Sequence, residues 1–367
     1  MTLGKGLRGL LETPLQIAAR KDSHIQLCLK EDVESRNASN PFPLPHCALP
    51  ELNMDAIDMG TTFMGYDCAL PMLITGMTGG VGMGQAINEA LAMVAQECKI
   101  PFGLGSQKLY LRDKSTFPLF HVKKRAPKVF LIGNLGAVSL NYGCTVEDCL
   151  RLVETFELNA LAMHLNSLQE AIQPEGERNF SQLLEKIEKI LKILPVPLLI
   201  KEVGAGLDAS SCLKLARCGV KYFDLGGTGG TSWAAIEGLR RADPTGQRLG
   251  RLFQNWGVTT EQALLHCQNA LKDAGVEGVQ WVATGGIRSG IDVARMVGQG
   301  ATLAGVGLPL FRAVGNALEA WPGKPEMHQK SAMEEMEFFK LSLQITLFST
   351  GCPTLGKLQN AFQAVSS

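Results

Sequence analysis

Residues 280–290 read QWVATGGIRSG and residues 301–307 read ATLAGVG. Each opens as a short apolar run and ends on glycine. Between them lies Gly290–Gly298, whose apolar spacing is helical. Near-continuous apolar runs of this length suit strands buried on both faces of a parallel sheet. The same unit recurs upstream at Leu70–Thr78, Pro101–Ser106, Val129–Gly136, Ala160–Asn166, Pro197–Val203 and Lys221–Gly227. Helical segments fall between these runs at Gly84–Lys99, Arg178–Leu194, Asp208–Arg217 and Thr259–Ala274, with Asp208 and Thr259 placed as N-caps. Leu111–Arg125 is helically weak and broken by Pro118, and Ser331–Ser349 is expected to close the last unit. Strands alternating with helices, with no linker between units, predict an α/β fold, a (β/α)8 TIM barrel, over a doubly wound open sheet. The barrel is expected over 70–367. Residues 1–69 form an N-terminal extension expected to close over its mouth, and the insertion after strand six (232–257) reads as a lid or oligomer contact.

The 367 residues carry 35 basic and 35 acidic side chains, so no global basic field is available to hold nucleic acid. Any anionic ligand must be held by a local cluster. No stretch has the roughly 18–20 uninterrupted apolar residues of a membrane span, and Met1–Leu15 lacks the apolar core of a signal peptide. The 10 cysteines form no CxxC pair and mostly sit in apolar patterns, the signature of reduced thiols in the cytoplasm.

In such a barrel the chemistry lies at the C-terminal ends of the strands. Those ends read MTGG (77–80), GSQK (105–108), NLGA (134–137), HLNSLQE (164–170), KEVGAG (201–206), GGTGGTSW (226–233), GGIRSG (285–290) and AGVG (304–307). The last two suit a phosphate: glycines admit backbone N–H groups to the anion, a helix begins there, and Arg288 supplies charge. Lys201 is expected in the mouth, to neutralise an anionic atom or form a Schiff base, with a rim pairing to Glu202 as the plain alternative. His164, Asn166, Gln169 and Glu170 gather amides and a carboxylate, suited to a phosphate and to one ligand of a hard cation. Arg20, Lys21 and His24 concentrate cations near the N-terminus. Glu237, shortly after GGTSW, reads as a solvated helix residue.

These boxes together resemble the FMN-dependent type 2 isopentenyl-diphosphate isomerase family. RKDSH (20–24), MTGG, GSQK, NLGA, HLNSLQEAIQPEGER (164–178), KEVGAG, GGTSW and GGIRSG match in family order from about residue 18 to about residue 350. The resemblance implies interconversion of isopentenyl and dimethylallyl diphosphate, with FMN in the barrel mouth, Mg2+ on the diphosphate, and NADPH or NADH to reduce the flavin. It implies that Met77, Thr78, Gly79, Ser106, Asn134, Lys201 and Thr231 contact FMN. Its phosphate would lie against Gly285, Gly286, Arg288, Ala304 and Gly305. Arg20, Lys21, Ser106, Gln107, Lys108, His164 and Asn166 would hold the substrate. Gln169 would face the reacting carbons as catalytic positioner or proton relay, and Glu170 would bind the metal. A homo-oligomer, a tetramer or larger, is expected.

The match has departures. Lys108 replaces a family arginine, exchanging a bidentate fork for a point charge. Gly226 stands where a polar residue is usual, and residues 256–260 read WGVTT without the family's proline. Two other functions compete: an FMN-dependent hydroxy-acid oxidoreductase, which wants a histidine before GGIRSG that is missing, and a non-catalytic flavin or phosphate binder.

Overall fold

The computed structural model describes residues 44–366. Ten strands are present among them: β1 Thr61–Phe63, β2 Tyr66–Cys68, β3 Met72–Ile74, β4 Phe102–Gly103, β5 Leu131–Gly136, β6 Ala160–Leu165, β7 Leu198–Glu202, β8 Tyr222–Asp224, β9 Gln280–Thr284 and β10 Leu303–Val306. Strands β3 to β10 run parallel in sequence order, and β10 pairs back onto β3 to close the barrel. All eight predicted strand segments are present, and the open sheet is excluded.

Side chains of a strand point alternately to its two faces, and the barrel turns this alternation into two cores. Leu131, Leu161, Met163, Leu198, Ile200, Phe223 and Ala304 face outward into the helix layer. Leu73, Ile132, Ala160, Ala162, Leu199, Val282 and Leu303 fill the inside. The apolar runs therefore look continuous because both faces are buried. Two residues further along five of these strands, the inner position becomes polar, as Thr75, Asn134, His164, Lys201 and Thr284; Asp224 holds the same layer on β8. This polar layer is the base of the mouth.

The barrel floor is sealed by the β1–β2 hairpin. Its two turn residues, Met64 and Gly65, have φ of 51° and 77°, the left-handed pair that matches strand twist in a tight hairpin. Phe63 is fully buried and meets Tyr222 edge-on at 6.0 Å, while Tyr66 packs on Phe130 at 4.9 Å. Gln280 clamps the turn: its Oε1 accepts from Met64 N (2.9 Å) and its Nε2 donates to Thr62 O (3.0 Å). The described end of the extension thus covers the N-terminal ends of the strands. Residues 1–43, with Arg20, Lys21 and His24, lie outside the described residues.

Several helix boundaries differ from the sequence reading. The segment expected from Arg178 becomes helical only at Leu183, because Gln182 is left-handed (φ 57°) and Arg178 reaches back to the carbonyls of Glu170 and Gln173. The helix expected from Ser331 begins earlier, at Pro325, and runs to Ser349. Helices at Val146–Phe156, Leu308–Ala320 and Leu355–Ser366 are additional. Within the insertion after β8, helices Trp233–Arg240 and Pro244–Leu252 cross at Gly238 and Gly250.

Candidate active site

The mouth holds a cavity of about 330 Å³ bounded by the ends of β3, β7, β8, β9 and β10. This is at the lower end of small-molecule sites. Of the residues expected at the flavin and its phosphate, Met77, Lys201, Thr231, Gly285, Gly286, Arg288 and Gly305 line it. Two glycines make the wall possible. A Cβ on Gly305 would lie 1.8 Å from Thr284 Oγ1, and Gly285 (φ 119°) passes so close to Gly227 O that a Cβ would sit 2.1 Å from it. Ala304 differs: its side chain is fully buried in the outer core, while Gly305, Gly307, Leu308 and Pro309 after it reach the cavity. Thr78, Gly79 and Ser106 meet one another between the ends of β3 and β4, off the cavity wall. Arg288 donates to Gly229 O at 2.9 Å, which holds its guanidinium over the glycine loop. Arg312 and Glu335, which the sequence reading missed, close the far side from helices beyond β10.

Lys201 does not pair with the Glu202 side chain. Its Nζ donates to Glu202 O at 2.8 Å and lies 3.7 Å from Asp224 Oδ2. Register brings Lys201 beside Asp224, and both are buried. Burial raises the Asp224 carboxyl, against the opposing pull of Lys201. Glu202 instead turns its carboxylate into the loop, where the N–H groups of Gly204, Ala205 and Gly206 donate to Oε2 at 2.6–2.9 Å. Burial still pushes its carboxyl up.

Next along the polar layer, Asn134 Nδ2 donates to Leu104 O (2.9 Å), which leaves Asn134 Oδ1 as an acceptor 2.8 Å from His164 Nδ1. The proton of the neutral imidazole is thereby assigned to Nδ1, and Nε2 presents a lone pair. Burial, with Lys201 and Lys108 nearby, pushes the His164 pKa down to about 3. A phosphate oxygen can meet such a Nε2 only through an intervening proton. Gln107, fully buried, accepts from Asn134 N through Oε1 (3.1 Å) and keeps Nε2 unpartnered. Lys108 forms an ion pair with Glu177 at 2.7 Å.

The third group sits where β6 gives way to the short helix Ser167–Ile172, so Gln169 and Glu170 project from a helical turn. Glu170 is buried; Oε1 accepts from Asn166 Nδ2 (2.9 Å) and Oε2 from Glu177 N (2.6 Å). Asn166 Oδ1 is buried beside it without a partner. Gln169 Nε2 donates to Glu237 Oε1 at 3.1 Å. Glu237 is not solvated: it is 3% exposed and also bonded to Arg240. Its place at i+4 after Trp233 buries it against the mouth, a consequence of how the insertion packs that its sequence did not reveal.

Known proteins similar to this chain give its family. No family model matches the chain. An isopentenyl-diphosphate delta-isomerase of Rickettsia prowazekii is 39% identical over 344 residues, covering 93% of this chain and 96% of the relative. The Paracoccus zeaxanthinifaciens isopentenyl-diphosphate delta-isomerase is 40% identical over 349 residues, 94% of this chain and 96% of that one. The chain belongs to the isopentenyl-diphosphate delta-isomerase family. A third family relative, from a Synechococcus species, is 42% identical over 303 residues, 82% of this chain and 86% of its own. Among solved structures, a flavocytochrome b2 variant with sulfite bound aligns with a TM-score of 0.61 at 16% identity, covering 88% of this chain and 76% of that one. A mandelate oxidase variant carrying a monooxide FMN adduct aligns at 0.55 and 16%, covering 87% and 86%. These two show that the family member shares their barrel fold.

Proposed function

We propose that this chain is a flavin-dependent, type 2 isopentenyl-diphosphate isomerase that interconverts isopentenyl and dimethylallyl diphosphate. The observation that carries the reading is the adjacency of two sites in one mouth. A glycine-walled cavity backed by Lys201 lies beside the amide and carboxylate corner of Asn166, Gln169, Glu170 and Glu237.

The cavity fits FMN. Its glycine wall leaves no space for added Cβ atoms at Gly285 or Gly305 yet opens backbone toward the cavity, as a phosphate cradle requires. Gly285, Gly286, Gly305 and Arg288 would hold the phosphate, and Lys201 would face the ring's anionic edge. When bound and reduced, the flavin supplies a ring nitrogen able to exchange a proton with a substrate carbon. NADPH or NADH is the proposed reductant.

The corner fits Mg2+. Among the described residues no group of three or more acidic, histidine or cysteine side chains could hold a metal. Magnesium needs only one or two carboxylates when phosphate and water complete its shell. Glu170 supplies that carboxylate, and the orphaned Asn166 Oδ1 is an acceptor for a metal-borne water. Gln107 Nε2, a buried unpartnered donor, faces the same need from the opposite sign and suits a phosphate oxygen. Gln169 is a poor base as a neutral amide; bonded to Glu237, it positions the reacting carbons and passes a proton toward that carboxylate. Leu239, Leu252 and Trp256 are 78%, 74% and 63% exposed on the insertion, which supports a homo-oligomer. Nine free cysteines among the described residues support a reducing, cytoplasmic setting.

The test supplies isopentenyl diphosphate, Mg2+, FMN and NADPH anaerobically and assays dimethylallyl diphosphate. Product is expected, with a loss of more than about 10-fold for Glu170→Gln that moderate extra magnesium does not restore. Bound, reduced flavin without product would overturn the reading in favour of a non-catalytic flavin binder. A fully active Glu170→Gln would remove the metal assignment alone.

A further inference from the structure

The Val146–Phe156 helix, away from the flavin cavity, carries a feature that the proposed chemistry leaves unused. Thr145 is its N-cap, and Thr145 and Asp148 form a reciprocal capping box. Such a box sets the entry of the chain so that the residue before the cap meets the fourth residue of the helix, where an apolar pair ordinarily packs as a staple. In this chain those two positions are Cys144 and Cys149. The box thereby sets the two side chains next to each other, with Cys144 Sγ donating to Thr145 O at 3.8 Å. Cys149 is fully buried, whereas Cys144 is half-buried and opens onto a small surface cavity of about 60 Å³ shared with Lys108, Arg112 and Asp148. The hydrogen bond from Cys149 holds the Cys144 thiol below its ordinary value, and the Arg112 guanidinium adds to that. The same bond, with burial, pushes Cys149 up. Cys144 is thus the one sulfur of the pair that solvent and a small oxidant can reach.

We propose that Cys144 and Cys149 are a peroxide-sensitive thiol pair that closes reversibly to a disulfide. The Cys144 thiolate attacks one oxygen of hydrogen peroxide: an S–O bond forms, the O–O bond breaks, and hydroxide leaves to take up a proton as water. Cys149 sulfur then attacks the resulting sulfenic sulfur: the S–S bond forms, the S–O bond breaks, and a second water leaves with the Cys149 proton. The two thiols lose two electrons, and the peroxide gains them. The loop that carries Cys144 is tied to the metal corner. Cys144 N and Tyr142 N donate to Ser139 O, Ser139 Oγ bonds Glu177 (3.4 Å), and Tyr142 Oη accepts from Asn179 N (3.0 Å).

The fold supplies its own control. Cys212 and Cys267 lie on two helices packed together, but both are fully buried, so peroxide has no path to either. The experiment treats the native full-length chain with hydrogen peroxide, denatures it, alkylates the remaining thiols and digests with trypsin. The peptide Val129–Arg151, which holds both cysteines, should lose two hydrogens and resist alkylation until dithiothreitol is added. Cys212 and Cys267 should be alkylated throughout. In Cys144→Ser, Cys149 should stay a thiol; in Cys149→Ala, a sulfenic acid at Cys144 should be trapped by dimedone. Absence of the link in the wild-type chain, or its equal appearance at Cys212–Cys267, overturns the proposal. None of these readouts depends on isomerase activity.

Discussion

His164 shows how one half-buried side chain makes its surroundings measurable. Its imidazole is held neutral, with the pKa pushed down to about 3 by burial and by two lysines. An unfolded histidine takes up a proton near its ordinary value of 6.5. Between about pH 6.5 and about pH 3 the unfolded chain therefore holds more protons, and stability falls as pH falls. The contribution is complete above that window and shrinks on acidification, by at most about 1.4 kcal/mol per pH unit. Urea unfolding of the wild type and His164→Gln at about pH 7.5 and about pH 5 should show a shallower acid loss in the variant. Equal slopes would mean that His164 titrates normally in the fold. His164 and Lys201 were legible because they interrupt apolar strands at a glycine-flanked end. Asp224 does so too, inside KYFDLGG, but its meaning depends on lying across from Lys201 in the neighbouring strand. Only pairing supplies that fact.

At the scale of elements, periodicity and caps located helices well wherever stop signals were strong. The Thr260–Asp273 helix begins after Thr259 with a capping box, and Gly290–Gly298 has the predicted bounds. The Val146–Phe156 helix had an equally clear box in Thr145–Asp148, and reading it would have exposed the Cys144–Cys149 staple. The helix Pro325–Ser349 meets the Gly290–Gly298 helix at close range. A Cβ on Gly290 would lie 1.9 Å from Leu343 N, and Gly290 N donates to Ser342 Oγ at 2.7 Å. Gly290→Ala should force the Gly290–Gly298 and Pro325–Ser349 helices apart and destabilise the chain by about 1–3 kcal/mol, read as a lower midpoint in thermal unfolding. An unchanged midpoint would show that the helix pair can shift without cost.

For the whole molecule, closure of the barrel decides what the extension does next to it. The β1–β2 hairpin has no apolar alternation long enough to announce a strand, yet Phe63 fills the floor as a fully buried side chain. Phe63→Ala should cost about 3–5 kcal/mol and lower the denaturant midpoint, while leaving the cavity at the opposite end of the barrel intact, as flavin binding would report. Loss of flavin binding at full stability would place Phe63 in the wrong role. The amino-acid sequence by itself determined the eight-unit barrel, because strands buried on both faces must be apolar along their whole length and end where glycine lets the chain turn. It also determined which strand ends carry polar groups. The tertiary structure alone decided that Glu237 is buried against Gln169, that Lys201 answers Asp224, that Arg312 reaches the cavity and that the hairpin seals the floor. Each of these is a contact between residues far apart in the chain, set by register, closure and helix packing, none of which local pattern can encode.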